Sequence, residues 1–366
     1  MSALTLAFFA LGLTLLVGGA EALVRGASRL ALHWGISPLV VGLTVVAYGT
    51  SAPELAVSVR AAFLGQAPLA VGNVVGSNIC NVLLILGLCA MITPMTVAMK
   101  LIWVDVPIMI AASAALWLLG WDGALSRWDG LLLFACAIAY TVYSIWQSRR
   151  ENQTVQDEFS DHLAALEKPS RKFGVLWDIA LTLLGIGTLV IGSDWLVDGA
   201  VALARHFGVS ELIIGLTIVA IGTSLPEIAT SIVASIRGER DIAVGNIVGS
   251  NIFNILSVLG LSSLVAPQGI EVPYAAWRLD IPIMIAVMTA CLPLFFTGHM
   301  IARWEGTLFF AYYLTYVGYI VLTATNHWAL SHLSHAVLFI AFPLTLVAIS
   351  ASLYRTWKRP HAPLSG

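Results

Sequence analysis

Charge is the scarcest ingredient of this 366-residue sequence: Asp, Glu, Lys and Arg make up 10% of it, while 59% is hydrophobic. Soluble domains carry about 25% charged residues, so the composition lies outside the soluble globular class. No excess of base remains for nucleic acid, since 18 basic residues against 20 acidic ones leave a net charge of −2. Cysteine is equally sparse. Cys80, Cys89, Cys136 and Cys291 show no CxxC spacing, so they imply neither a disulfide framework nor a zinc site. The scattered histidines form no metal-ligand pattern, and there is no HExxH. The glycine-rich VGNVVGSN and VGNIVGSN lie in apolar runs rather than in a strand–loop–helix phosphate cradle. An enzyme and a bound cofactor are therefore not expected.

What the chain has instead is apolar runs, at about 4–31, 37–64, 69–92, 97–119, 128–147, 175–204, 211–236, 242–265, 279–297, 304–325 and 335–354. At roughly 20 residues per crossing these are eleven membrane spans. The first run lacks a basic n-region and exceeds a signal-peptide core in length, so it reads as a retained helix. The one long polar stretch, Arg149 to Lys172, is too short for a domain and reads as a loop or an interfacial helix. With the N-terminus outside, Lys100, the 149–172 bases, Arg237, Arg240, Arg303, Arg355, Lys358 and Arg359 fall inside. Only Arg60, Arg127, Arg205 and Arg278 fall on the outer side. The positive-inside rule selects this N-out, C-in orientation.

The strongest pattern is internal. Leu39 to Leu88 aligns without gaps on Leu212 to Leu261 at an offset of 173, with roughly 29 of 50 positions identical. GTSAPE at Gly49–Glu54 answers GTSLPE at Gly222–Glu227, and VGNVVGSNICN from Val71 answers VGNIVGSNIFN from Val244. Five spans per copy is an odd number, so the second copy must enter the membrane from the opposite side, an architecture of transporters. The organisation expected is an all-α polytopic membrane protein. Its parts are a five-helix repeat over 1–148, a cytoplasmic loop over 149–173, an inverted five-helix repeat over 174–326, and an additional helix with a basic tail over 327–366.

Glu54 and Glu227 fall near mid-span, each directly after a proline. Intramembrane carboxylates are costly and mark functional sites by default. Pro53 and Pro226 remove a backbone donor and free carbonyls one turn earlier, which makes the carbonyls around Ala47 and Ala220 candidate ligands. Thr50 and Glu54, Ser77 and Asn81, Thr223 and Glu227, and Ser250 and Asn254 are each four apart and share helix faces. This all-oxygen set suits a hard cation such as Ca²⁺, and two carboxylates neutralise one Ca²⁺ or two Na⁺. Asn73 and Asn246 either bind an ion or brace broken helices. Gly42, Gly49, Gly72, Gly76 and their counterparts serve close helix packing. Asp105 and Asp280, two residues before prolines, read as helix-start residues. Glu21 and Arg25 are spaced to pair, whereas their equivalents Asp194 and Asp198 need water or another partner.

The motifs G-T-S-x-P-E and G-N-x-x-G-S-N-I-x-N, each present twice, resemble the α-repeats of the cation/calcium antiporter superfamily. The closer likeness is to its sodium/calcium exchanger branch in a bacterial-type full-length form. The resemblance covers nearly all of the first 325 residues. It implies a ten-helix core of two inverted halves, spans one and six as a sliding gate, and alternating access between Na⁺ and Ca²⁺. It assigns cation coordination to Glu54, Glu227, Thr50, Thr223, Ser51, Ser224, Ser77, Ser250, Asn81, Asn254 and the carbonyls of Ala47 and Ala220. Asparagine at both 81 and 254, where some relatives have one aspartate, argues against a potassium requirement. The G-T-S form differs from the G-N form of the proton/calcium branch, which favours Na⁺ over H⁺. A multi-pass protein of a bacterial inner membrane follows, with Ca²⁺ and Na⁺ as substrates and the lipid bilayer as surroundings. Neither nucleic acid nor an obligatory protein partner is called for. A proton-coupled antiporter on the same fold and a cation channel are the alternatives.

Overall fold

A computed structural model describes residues 3–158, 172–296, 298–347 and 350. The expected loop bases Lys168 and Arg171 and the tail bases Arg355, Lys358 and Arg359 lie outside the described residues. The helices are α1 (Ala3–Trp34), α2 (Pro38–Thr50), α3 (Ala52–Phe63), α4 (Pro68–Ile92), α5 (Leu101–Asp122) and α6 (Arg127–Glu158). They continue with α7 (Lys172–His206), α8 (residues 211–222), α9 (Leu225–Ile236), α10 (Arg240–Val265), α11 (Ala276–Phe296), α12 (Arg303–Ala324) and α13 (Ala329–Val347). Helix α6 runs on through residue 158, so the first part of the polar stretch is helical, one of the two forms open to it from sequence.

Among the described residues nine helices are long and apolar enough to cross a membrane, ten if α2 and α3, bent by 48°, form one span. The remaining expected span, 211–236, is present as α8 and α9 and is likewise interrupted. The interruptions have a local cause. Ser51 (φ −83°, ψ 11°) and Ser224 (φ −87°, ψ 5°) leave helical geometry, and Pro53 and Pro226 restart the chain in the first turn of α3 and α9. There a missing N–H costs nothing. Helix α13 ends at Val347 among the described residues and has no buried side chain.

The duplication extends to backbone irregularities. Turns of π-helix occur at Gly42–Val46 and Gly215–Val219, at Asn81–Leu86 and Asn254–Leu259, and at Leu101–Asp105 and Ala276–Asp280. Such bulges concentrate at functional sites. Two short antiparallel ribbons join the halves. Strand β1 (Met95–Thr96) pairs with β4 (Met300–Ile301), and β2 (Ala124–Leu125) pairs with β3 (Ile270–Glu271).

Helices α1 and α7 pack along each other through glycines spaced seven apart, Gly12, Gly19 and Gly26 against Gly185, Gly192 and Gly199. A Cβ on Gly192 would lie 2.6 Å from Leu16 N and 2.8 Å from Gly12 O. The two backbones therefore touch, the packing that small residues permit between membrane helices. The pair is also tied at one end, where Asp178 of α7 meets Arg29 (3.5 Å) and His33 (3.3 Å) of α1.

Candidate cation site

Glu54 and Glu227 sit in the first turns of α3 and α9, both fully buried. A helix N-terminus favours negative charge, which offsets part of the cost of a carboxylate at this depth. That cost is about 2.5–3.5 kcal/mol on insertion scales. Each carboxylate takes a hydroxyl from the other repeat. Ser51 Oγ donates to Glu227 Oε1 at 2.7 Å, and Ser224 Oγ donates to Glu54 Oε1 at 3.2 Å. Ser77 Oγ also reaches Glu54 Oε1, at 3.5 Å. The two acids interact electrostatically across the cluster.

The threonines cross over in the same way. Thr50 Oγ1 donates to Asn246 Oδ1 (3.1 Å), and Thr223 Oγ1 donates to Asn73 Oδ1 (3.3 Å). Asn73 and Asn246 are held by Ser58 and Ser231, each at 3.0 Å. These asparagines thus brace the broken helices across the repeat boundary, one of the two roles open to them from sequence. Helical spacing puts Asn73, Ser77 and Asn81 on one face of α4, and Asn246, Ser250 and Asn254 on one face of α10.

Asn78 and Asn251 were not singled out from sequence, although the repeat contains both. Asn81 Nδ2 donates to Asn251 Oδ1 (3.3 Å), and Asn254 Nδ2 donates to Asn78 Oδ1 (3.1 Å). Asn78 Nδ2 in turn donates to Asn251 O (3.3 Å). This lattice fixes the amides of Asn81 and Asn254 by their nitrogens and leaves both Oδ1 atoms unpaired. Glu54 Oε2, Glu227 Oε2 and Ser250 Oγ are also buried oxygens without a hydrogen-bond partner among the described residues. Buried oxygens are normally satisfied. Five unsatisfied ones in one duplicated cluster are oxygens that a hard cation could use as ligands. Among the described residues no three His, Cys, Asp or Glu gather as a metal-ligand group, and apart from the two carboxylates the unpaired oxygens of the cluster are neutral.

The backbone is less open than the prolines suggest. Ala47 O keeps its helical partner, Ser51 N–H at 3.0 Å, and also faces Thr50 Oγ1 at 3.4 Å, so only a second lone pair remains. In the second repeat Ser224 N–H turns to Ile221 O (3.0 Å) instead of Ala220. Gly222 O, the carbonyl released by Pro226, accepts Ser193 Oγ of α7 at 2.9 Å. Asp105 and Asp280 belong elsewhere, accepting the hydroxyls of Tyr140 (3.0 Å) and Tyr316 (3.3 Å).

The surroundings of the cluster are not symmetric. A Cβ on Gly42 would lie 2.7 Å from Ile242 O, on Gly245 2.6 Å from Leu39 O, and on Gly249 2.6 Å from Leu43 O. At the equivalent Gly215, Gly72 and Gly76 a Cβ would meet nothing within 4 Å among the described residues. Thr230 of α9, a helix packed on α1, is 0% exposed, whereas its counterpart Val57 of α3 is 37% exposed. One face of the cluster is packed shut and the other stands open.

The sodium/calcium exchanger protein family matches residues 4–146 and 177–322. The inner membrane protein YrbG of Escherichia coli is 42% identical over 287 residues, 78% of this chain and 86% of that protein. The sodium/calcium exchanger MaX1 of Methanosarcina acetivorans is 32% identical over 336 residues, 84% of this chain and 95% of that one. Among solved structures, the sodium-calcium exchanger NCX_Mj superposes with a TM-score of 0.74 at 30% identity, covering 87% of this chain and 100% of that one.

Proposed function

The chain belongs to the sodium/calcium exchanger protein family, a family of cation antiporters, and on that premise we propose that it exchanges Na⁺ for Ca²⁺ by alternating access. The single observation that carries this reading is the pair of buried glutamates, each bonded by a serine of the other repeat and each keeping one free oxygen. Ligands in this proposal are Glu54, Glu227, Thr50, Thr223, Ser51, Ser224, Ser77, Ser250, Asn81, Asn254 and the carbonyls of Ala47 and Ala220. Two carboxylates balance one Ca²⁺ or two Na⁺, so either load leaves the buried site neutral. A neutral load is what a low-dielectric crossing favours.

The repeats over 1–148 and 174–326 are read as inverted, with N-out and C-in orientation and the loop over 149–173 in the cytoplasm. Residues 327–366 stand outside the exchange unit. On that orientation the packed face is cytoplasmic and the open face is external. The other face closes when the second repeat adopts the packing now seen in the first. Named relatives that are sodium/calcium exchangers support the coupling ion, and one named as an inner membrane protein supports the location.

The deciding experiment is ⁴⁵Ca²⁺ uptake into proteoliposomes under separate Na⁺ and pH gradients. Uptake driven by outward Na⁺ is expected. Uptake driven by pH alone overturns the sodium assignment, and a Ca²⁺ current without any counter-ion gradient overturns antiport in favour of a pore.

A further inference from the structure

On the packed face, α1 runs along α9. There Glu21 of α1 bridges Arg25 one turn on and Arg237 at the end of α9, with Arg237 Nε 2.9 Å from Glu21 Oε2. The repeat offset of 173 carries Glu21 to Asp194 and Arg25 to Asp198, both on α7. It carries Arg237 to Leu64, at the end of α3, and Arg60 lies one turn before Leu64 on that helix. Among the described residues Asp194, Asp198 and Arg60 have no ion-pair partner, and Arg60 is exposed.

The two aspartates are four apart on one helix, a spacing at which like charges repel. They lie on the helix that makes little contact with α3 here, while its counterpart α1 covers α9. If α7 covered α3 as α1 covers α9, Asp194 would stand level with Leu64, about one 5.4 Å turn from Arg60. An arginine side chain spans that rise by extending toward the polar end of its helix.

We propose that Arg60 and the Asp194/Asp198 pair form an ionic latch that closes the α3 face in the alternate state, the counterpart of Glu21–Arg237 on the α9 face. The proposal rests on the alternating-access reading. It makes Arg60, Asp194 and Asp198 positioning residues that do not touch the transported ion. The two latches are exclusive, since α1 and α7 are zipped together and cover one face at a time.

Disulfide trapping tests the geometry in the full chain, with the exposed Cys136 changed to serine. Arg60→Cys combined with Asp194→Cys, or with Asp198→Cys, is expected to cross-link. So is Glu21→Cys with Arg237→Cys, and ion conditions that raise one link should lower the other. Failure of both Arg60 pairs to cross-link under every Na⁺ and Ca²⁺ condition overturns the latch. Charge reversal supplies the second measurement. Arg60→Asp and Asp194→Arg should each slow ⁴⁵Ca²⁺ exchange by about three- to fivefold, the scale of one exposed ion pair. Ca²⁺ binding in detergent should be unchanged, and the double reversal should recover the rate. A double variant no faster than the slower single one overturns the proposal. Absence of both Na⁺-driven and pH-driven flux in the unmodified protein refutes antiport instead, and the cross-links then judge the latch alone.

Discussion

Glu54 and Glu227 do what no packing role demands: they hold carboxylates buried among apolar helices. Glu54→Gln and Glu227→Gln should each abolish Ca²⁺ exchange, because either change leaves a divalent load unbalanced. The folded helices should persist by circular dichroism, and normal flux in either variant would remove that residue from the site. At this scale the sequence was most legible where chemistry is expensive. A duplicated acid after a proline stands out against an apolar background, and so do the threonine four positions before it and the paired Ser77–Asn81 and Ser250–Asn254. Asn78 and Asn251 were less visible, since an asparagine that orients another asparagine has no spacing signature of its own. Only their hydrogen bonds show that they aim Asn81 and Asn254.

At the scale of helices, glycine decides which surfaces can meet. Gly192→Ala should force α1 and α7 apart, because its Cβ would run into backbone rather than a movable side chain. Overpacking of this kind costs about 1–3 kcal/mol, readable as a lower unfolding midpoint in detergent. Gly249→Ala and Gly76→Ala separate two states of one design. The first collides with Leu43 in the present packing, whereas the second meets nothing within 4 Å among the described residues. Gly249→Ala should therefore lower thermal stability, while Gly76→Ala should keep stability and Ca²⁺ binding but slow exchange. Equal thermal losses for both would contradict the open-and-closed reading. Span positions and both helix breaks could be read from apolar runs and prolines. The paired heptads of glycine could not, because a glycine in an apolar run carries no mark of the partner that approaches it.

For the whole molecule, the repeats form one core with α13 at its edge, touching α12 through contacts such as Tyr312 Oη to Thr345 Oγ1 at 2.7 Å. A chain lacking residues 327–366 should retain Na⁺-driven Ca²⁺ uptake within about twofold, the range of effects when no buried contact is lost. Loss of uptake in a well-folded truncation would place α13 within the exchange unit. The two-copy organisation was plain in the sequence, but the open and closed faces were not. Two near-identical copies carry no mark of which one packs tightly in a given state. The small ribbons have a further consequence, in folding. Strands β1 and β2 come from the first half, yet their partners β4 and β3 are made more than a hundred residues later. Asn78 likewise waits for Asn251 and Asn254. The first half therefore enters the bilayer unfinished, with strand edges and buried amides exposed, and its folding completes only when the second half arrives.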